Sequence, residues 1–245
     1  MKSEYGRRPG LPDGLRIYAI SDIHGCADLL ERALQSIDVD LERGKIESSL
    51  CVFLGDYIDR GLDSRRTIDL LIDRSRLGPT VFLKGNHEDV LLGFLRDPSR
   101  LHDWRQFGGL QTLVSYGLRP TLSPSASEQL ALARAFAAAL PPDHKQFLEG
   151  LKPSFSCGDY FFVHAGVRPG VALDEQKEED LLWIRDEFLT SRIDFGKFII
   201  HGHTPVREPD LRANRLNIDT GAYATGRLTL LRLEGTELEF IDVQQ

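Results

Sequence analysis

The chain has 245 residues, of which 41% are hydrophobic and 27% are charged, and its formal net charge is −7. A chain of this length and composition can bury a sizeable core, so we expect a single α/β domain and not a disordered protein. The acidic balance and the lack of a basic stripe argue against nucleic acid as a partner, and against an anionic membrane surface.

The sequence contains no clear export or membrane signal. The N-terminal residues, Met1–Gly14, are polar and lack the apolar segment of a signal peptide. The longest apolar stretch, Leu130–Leu140, is too short to cross a membrane and contains an arginine. The cysteines Cys26, Cys51 and Cys157 have no CxxC spacing, so we expect small buried side chains and not a disulfide or a thiolate site. A reducing compartment fits this pattern, and we predict a cytoplasmic protein.

The N-terminal part of the chain predicts alternating strands and helices. Short apolar runs indicate strands at Leu15–Ser21, Leu50–Leu54 and Thr80–Leu83. Helical spacing of apolar residues predicts helices at Ala27–Ile37 and Ser64–Arg76. Strands that are apolar throughout are typical of a sheet covered on both faces, so this part is expected to form a β-α-β-α-β unit.

The middle of the chain predicts helices, and the remainder predicts strands. Helical spacing occurs at His87–Leu95, Leu101–Tyr116, Ala126–Leu140 and Pro142–Leu151. We interpret residues 97–151 as a helical cap inserted into a single domain that spans residues 1–245. Apolar runs indicate further strands at Tyr160–Val163, Phe198–Ile200, Leu216–Ile218, Arg227–Leu233 and Leu238–Val243.

Several histidines follow the carboxyl ends of predicted strands. They are His24, His87, His164, His201 and His203. Each motif alone could be an ordinary loop, because asparagine and glycine beside a histidine are common in turns. Ligands collect at the carboxyl ends of strands in open α/β sheets, however, and carboxylate, imidazole and amide groups recur at one strand end after another. Such oxygen and nitrogen ligands without thiolate suit hard or borderline divalent metal ions.

Five short motifs occur in order along the chain. They are Asp22-Ile23-His24-Gly25, Gly55-Asp56-Tyr57-Ile58-Asp59-Arg60-Gly61, Gly85-Asn86-His87-Glu88, His164-Ala165-Gly166 and Gly202-His203-Thr204-Pro205. In this order and spacing they resemble the signature of the calcineurin-like metallophosphoesterases, with the closest match in the short bacterial and phage form of the phosphoprotein phosphatase branch. The resemblance covers Leu15 to Leu233. It implies an α/β (α+β) fold in which a β-sandwich of mixed sheets is flanked by helices.

The resemblance also implies a binuclear metal centre. The residues that match its ligands are Asp22, His24 and Asp56 for one ion, and Asn86, His164 and His203 for the second, with Asp56 bridging both. We expect two divalent ions, with manganese as the first expectation and iron or zinc as alternatives. Two such ions that share a carboxylate and a water molecule make a hydroxide near neutral pH, which can attack phosphorus in line.

Catalytic and substrate-binding residues follow from the same resemblance. His87 matches the general acid that protonates the departing oxygen, and Asp59 would hydrogen-bond and orient it. Arg60 matches a phosphate-binding arginine, whose planar fork suits a tetrahedral oxyanion. Arg185 is the candidate for a second such arginine, with a surface salt bridge to a neighbouring carboxylate as the alternative. Asn86 is expected to contact the substrate as well as the metal.

Other positions keep two interpretations each. His201 is a candidate for substrate contact, while support of the ligands or plain packing at the strand end is the alternative. Asp219 either lies beside the ligands or forms an Asx-turn. Trp104 and the Gly108-Gly109 turn are expected to shape the cap over the site, and packing of the indole in the core is the competing interpretation.

The first functional hypothesis is a phosphomonoesterase that acts on phosphoserine, phosphothreonine or phosphotyrosine in proteins, or on a small phosphoester. The alternative is a symmetrical dinucleoside tetraphosphate hydrolase with the same metal site. Within the resemblance Asp59 separates the two, because the tetraphosphatases tend to lose this carboxylate and a nucleotide leaving group needs less help from an acid. A non-catalytic binding module on a degenerate scaffold is a third hypothesis, and the complete ligand set argues against it. The oligomeric state is not predicted.

Overall fold

The computed structural model describes residues 8–44, 46–121 and 123–244, so part of the polar segment Met1–Gly14 lies outside the described residues. The strands are β1 Leu15–Ile20, β2 Ser48–Phe53, β3 Thr80–Phe82, β4 Ser154–Cys157, β5 Tyr160–Val163, β6 Phe198–His201, β7 Asp210–Leu211, β8 Arg215–Asn217, β9 Arg227–Glu234 and β10 Glu237–Gln244. The helices are α1 Ala27–Arg43, α2 Ser64–Leu77, α3 Asn86–Arg96, α4 Leu101–Gln106, α5 Gly109–Ser115, α6 Ala126–Ala139, α7 Pro142–Glu149, α8 Glu178–Trp183, α9 Asp186–Leu189 and α10 Ala222–Thr225, with a 3₁₀ turn at Pro98–Arg100.

The strands form two mixed sheets. The first has the order β10-β9-β1-β2-β3, in which β1, β2 and β3 are parallel and β9 is antiparallel to β1. The second has the order β4-β5-β6-β8-β7, in which β5, β6 and β8 are parallel and the two edge strands are antiparallel. Apolar side chains of both sheets share one buried cluster, which includes Ile17, Val52, Phe162 and Ile200. The α/β fold with two mixed sheets flanked by helices is therefore confirmed.

Strand β1 explains why the central strands of the first sheet are apolar throughout. Ile17 and Ala19 belong to the cluster between the two sheets. Tyr18 and Ile20 point to the opposite face, where they pack in the cluster that includes the helices. Because successive side chains of a strand alternate between faces, a strand that is covered on both sides needs an uninterrupted apolar run.

The helices of residues 97–151 belong to the same apolar cluster as the helices that flank the first sheet. Trp104 lies 5.0 Å from Phe94 and 5.7 Å from Phe136, measured between ring centroids, and the three side chains are fully buried. The segment therefore contributes to the main core as well as to the surroundings of the site. Its description as an inserted cap within a single domain stays a prediction.

The structure contains short elements that the sequence patterns do not predict, namely β4, β7, α8, α9 and α10. Each has six residues or fewer, which is too short to establish a periodic pattern of apolar residues. Within the described ranges, no helix is long and apolar enough to cross a membrane.

Candidate metal centre

The side chains that match metal ligands converge at the carboxyl ends of strands from both sheets. They are Asp22 after β1, Asp56 after β2, Asn86 after β3, His164 after β5, and His24 and His203 in the following loops. All six residues are buried. Because parallel strands end at the same edge of a sheet, motifs that are far apart in the sequence become neighbours here.

Asp56 lies between two groups of histidines. Its Oδ1 atom is 3.4 Å from Nε2 of His164, and its Oδ2 atom is 3.5 Å from Nε2 of His24. Oδ1 also accepts a hydrogen bond from the backbone N–H of His87, at 3.1 Å. One carboxylate that presents a different oxygen to each histidine has the geometry of a bridging ligand.

Backbone carbonyls set the orientation of two of these imidazoles. Nδ1 of His24 lies 2.9 Å from the carbonyl oxygen of Ile58, and Nδ1 of His164 lies 3.0 Å from that of Leu54. A carbonyl only accepts, so the proton of each neutral ring is on Nδ1. The lone pair of each Nε2 atom is thereby directed into the centre, which is the arrangement of a metal-binding histidine.

The second group brings the acceptor atoms of Asn86 and His164 into direct contact. The side-chain oxygen of Asn86 lies 2.9 Å from Nε2 of His164 and 2.9 Å from Nδ1 of His203. Since Nε2 of His164 carries no proton, its lone pair faces another acceptor. A cation between these atoms relieves that repulsion, so the residues present fit the divalent ion that the family resemblance implies.

Burial determines the charge state of the centre. It lowers the pKa of His24 and of His164, which keeps both rings neutral and able to bind a metal ion. Burial also raises the pKa of Asp56 well above its usual value, and the nearby carboxylates of Asp22 and Glu88 raise it further. Two positive ions would remove this penalty, because they would balance the charge of the buried carboxylates.

His87 lies at the edge of this cluster and has two possible roles. The donor atoms of His24, Asp56 and His87 all lie within 4.8 Å of one another, so His87 is as close as a ligand would be. Its Nε2 atom is 3.7 Å from Oδ2 of Asp56 and has no hydrogen-bond partner among the described residues. The carboxylate of Asp22 contacts the second group of ligands, where its Oδ1 atom accepts from the backbone N–H of His203 at 3.1 Å. Geometry alone therefore permits His87 to act as ligand or as acid.

Asp59 holds the other side of the His87 ring. Its Oδ2 atom lies 2.8 Å from Nδ1 of His87 and accepts from the indole N–H of Trp104 at 3.0 Å. Its Oδ1 atom accepts from the hydroxyl of Thr112 at 2.6 Å. Trp104 therefore packs in the core and also binds the carboxylate that orients His87, which combines the two interpretations from the sequence.

Burial shifts the pKa values of both Asp59 and His87. It raises the pKa of Asp59 to about 7, although the donors Thr112 and Trp104 oppose this change. It lowers the pKa of His87, and the positive charge of Arg60 lowers it further. Both shifts disfavour separate charges on Asp59 and His87 in this buried position.

Glu88 has a structural role that the sequence did not reveal. Its fully buried carboxylate accepts from the backbone N–H groups of Asp56 at 2.9 Å, Tyr57 at 2.8 Å and Gly85 at 3.0 Å. These bonds join the loop after β2 to the start of α3. Gly85 leaves no room for a side chain there, since an added Cβ atom would lie 2.1 Å from Oδ1 of Asp56.

Backbone strain is concentrated in the site. Within the described residues, the non-glycine residues with positive φ are His24, Asp56, Asp59, Arg60 and His203. Positive φ is uncommon for residues with a Cβ atom and is maintained only where the surrounding structure enforces it. All five belong to the predicted metal and phosphate site. The surrounding structure therefore holds these side chains in place through strained backbone conformations.

The two candidate arginines lie beside the ligands. The backbone N–H of Arg60 donates a hydrogen bond to the carbonyl oxygen of Gly108, at 3.3 Å. The Arg185 guanidinium donates to the hydroxyl of Thr204 at 3.2 Å, next to His203, and it contributes to the lowered pKa of His203, for which burial is the main cause. No ion pair joins Arg185 to a carboxylate in the described part of the chain, so the geometry favours a side chain that faces the site.

The structure does not bring His201 into the open site. Its buried ring packs edge-on against Phe188 with 4.9 Å between centroids, and its Nδ1 atom lies 3.1 Å from the carbonyl of Gly202. The packing alternative is therefore favoured over phosphate contact. Asp219 accepts from the N–H of Gly221 at 2.8 Å, which is the Asx-turn. Burial raises the pKa of Asp219, and the nearby charge of Asp22 raises it further.

Comparison with known proteins identifies the family. A family model described as calcineurin-like phosphoesterase matches residues 15–233. The chain belongs to this family. An asymmetrical bis(5'-nucleosyl)-tetraphosphatase of Halalkalibacterium halodurans is 28% identical over 91% of this chain and 92% of its own length. A serine/threonine-protein phosphatase 1 of Salmonella typhimurium is 30% identical over 89% of this chain and 92% of its own length.

Solved structures of this family share the fold. A crystal structure assigned to a diadenosine tetraphosphatase has a TM-score of 0.65 at 21% identity and covers 93% of both chains. A cold-active protein-tyrosine phosphatase of a psychrophilic Shewanella has a TM-score of 0.56 at 16% identity, over 96% of this chain and 83% of its own. Members of the calcineurin-like phosphoesterase family are phosphoric ester hydrolases that use divalent metal ions, so the enzyme class follows from the family. The two groups around Asp56 are a possible site for such ions.

Replacing Trp104 with phenylalanine tests the contact with Asp59. The variant keeps an aromatic ring in the core but loses an indole N–H that donates to a buried carboxylate, a bond worth roughly 1–2 kcal/mol. We expect turnover of an alkyl phosphate to fall about 5- to 30-fold, corresponding to that energy, while turnover of p-nitrophenyl phosphate changes less. The measurement is the ratio of the two rates. Phe136→Leu is the matched control, because it alters the same aromatic cluster without touching Asp59. Equal losses on both substrates would contradict a role through the acid.

Proposed function

We propose that the protein is a phosphomonoesterase that hydrolyses phosphoserine, phosphothreonine or phosphotyrosine in proteins by direct in-line attack of water. The proposal goes beyond the family, which establishes only a metal-dependent phosphoric ester hydrolase. Its main support is the buried pair of His87 and Asp59, whose nitrogen and oxygen lie 2.8 Å apart. A positioned acid is most valuable where the departing oxygen is a poor leaving group, as in an alkyl phosphate ester.

The residues at the strand ends divide into groups with different tasks. When bound by Asp22, His24, Asp56, Asn86, His164 and His203, divalent metal ions supply an activated water molecule and balance the charge of the phosphate. Arg60 and Arg185 would hold non-bridging phosphate oxygens, because each presents N–H donors in a planar fork. Asn86 would contact the substrate as well. Manganese as the metal and the cytoplasm as the location stay predictions.

His87 is proposed as the acid because of where its two nitrogens lie. Nδ1 is held by Asp59, and Nε2 is directed toward the cluster without a protein partner among the described residues. When the proton between the two groups lies on Asp59, the neutral ring carries its own proton on Nε2, where it faces the departing oxygen. Asp59 keeps the ring in this orientation, and Trp104 and Thr112 keep Asp59 in place.

The replacement His87→Asn tests this assignment through the leaving group. Loss of a positioned acid typically lowers the rate by roughly 10²–10⁴. We expect a loss of this size for an alkyl phosphate and a much smaller loss for p-nitrophenyl phosphate, because nitrophenolate departs without a proton. Rates are measured on both substrates, and bound metal is measured by elemental analysis. The matched control is His102→Asn, which removes an exposed histidine of α4 and should change neither.

A fall in bound metal in the His87 variant would show that His87 is a ligand. Equal loss on both substrates would show that it acts on the phosphate or the metal and not on the departing oxygen. Either result would contradict the acid assignment, and it would also remove the main support for a monoester substrate.

An asymmetrical dinucleoside tetraphosphatase is the second candidate. The relative from Halalkalibacterium halodurans carries this name, and so does a Bacillus subtilis protein that is 27% identical over 91% of this chain. The alternative predicted from the sequence is a symmetrical hydrolase, and the nucleotide products distinguish the two reactions. Two partly exposed rings beside the centre could stack on a base. Phe107 lies 5.6 Å from the ring of His87 and 5.6 Å from that of Trp183.

A substrate panel with Mn²⁺ separates the two candidates. It compares peptides that carry phosphoserine or phosphotyrosine with diadenosine tetraphosphate, and it identifies the nucleotide products. We expect a higher kcat/KM for a phosphopeptide, because its poor leaving group makes use of the acid. A far higher kcat/KM for the dinucleotide would establish the second candidate, and release of AMP and ATP would identify it as the asymmetrical reaction.

A further inference from the structure

Tyr223 lies at the mouth of the metal centre between two residues of the site. The guanidinium carbon of Arg60 is 4.7 Å from the centroid of the Tyr223 ring. The same ring meets the imidazole of His24 edge-on, with 5.4 Å between centroids and an interplanar angle of 83°. Tyr223 is 44% exposed, although it is a large ring, so its open side faces the solvent at the entrance.

The Arg60 guanidinium lies near the carboxylates of Asp56, Asp59 and Asp219 and interacts with their charges, but the ring of Tyr223 is its direct contact. Among the described residues, no side chain forms a hydrogen bond or an ion pair with it. A carboxylate partner would occupy the N–H donors that a phosphate needs. An aromatic ring attracts the flat face of a guanidinium and leaves the N–H groups at its edge available, so it can orient the arginine without competing with an anion.

The backbone on both sides makes this contact specific. Arg60 has φ 65°, and Gly108 packs so closely against it that an added Cβ atom would lie 2.6 Å from the Arg60 nitrogen. Tyr223 lies in the short helix α10, between Gly221 with φ 69° and Gly226 with φ 68°. Arg60 is thus held in a backbone conformation that residues with a Cβ atom rarely adopt.

We propose that Tyr223 is a positioning residue that holds Arg60 ready to bind the phosphate group of the substrate. The ring fixes the plane of the guanidinium before the substrate arrives, so less side-chain freedom is lost on binding. Nothing in this role requires the tyrosine hydroxyl. The inference rests on the proposed function of Arg60 as a phosphate-binding residue.

The test measures the affinity of the metal-loaded protein for inorganic phosphate by isothermal titration calorimetry. The variants are Tyr223→Leu, Tyr223→Phe, Arg60→Ala and the double variant of Arg60→Ala with Tyr223→Leu. We expect Tyr223→Leu to weaken phosphate binding roughly 3- to 30-fold, which is the range of a cation–π contact. Tyr223→Phe should stay close to the wild type, because it keeps the ring. Bound metal should not change.

The double variant decides whether Tyr223 acts through Arg60. If it does, loss of the ring has no further effect once Arg60 is alanine. Phe240→Leu, which replaces another exposed aromatic residue on β10, is the control and should leave phosphate affinity unchanged. If the leucine variant does not fold, fluorinated phenylalanines at position 223 provide the same test, because fluorine weakens the negative face of the ring with little change in shape. Affinity should then fall with each fluorine added.

The following results would overturn the proposal that Tyr223 positions Arg60. Independent, additive losses in the double variant would show that Tyr223 does not act through Arg60. An equal loss in Tyr223→Phe would assign the effect to the hydroxyl, and loss of metal would assign it to His24. If Arg60→Ala itself binds phosphate normally, the proposed function of Arg60 fails, and this outcome is distinguishable from failure of the Tyr223 contact alone.

Discussion

The burial of Asp56 beside other carboxylates is the constraint on which the rest of this structure depends. Burial and the charges of Asp22 and Glu88 raise its pKa, and its backbone has a positive φ of 53°. Such a residue is unfavourable unless the fold enforces its position and positive charge offsets its own. Glu88 enforces the position through its bonds to the backbone of the Asp56 loop, and Gly85 allows the close approach. Divalent ions bound by Asp56 and the histidines would supply the compensating charge.

The same loop connects the metal centre to the proposed acid and to the phosphate-binding group. The loop after β2 contains Asp56, Asp59 and Arg60, and each of them has a positive φ. Contacts from distant elements hold them there, with Trp104 on Asp59 and Tyr223 on Arg60. The activity of such a site therefore depends on residues that do not themselves touch the reacting atoms.

Local patterns in the sequence predicted most strands and helices, whereas the family resemblance predicted the two mixed sheets and the residues that converge in the centre. Apolar runs that end in Asp22, Asp56 or His164 place those side chains at strand ends before any tertiary contact is known. The contact of Trp104 with Asp59 and that of Tyr223 with Arg60 join residues far apart in the chain, and no local pattern predicts them. His201 shows the limit of predictions from strand-end positions. It lies at a strand end, as the ligand residues do, but its ring packs against Phe188.

Anomalous diffraction from crystals grown with Mn²⁺ is the most direct test of the central claim, which is that Asp56 bridges two metal ions. The account predicts two anomalous peaks about 3.5–4 Å apart, with the carboxylate of Asp56 between them and the His87 ring outside the coordination sphere of both. A single peak, or two peaks without Asp56 between them, would contradict it.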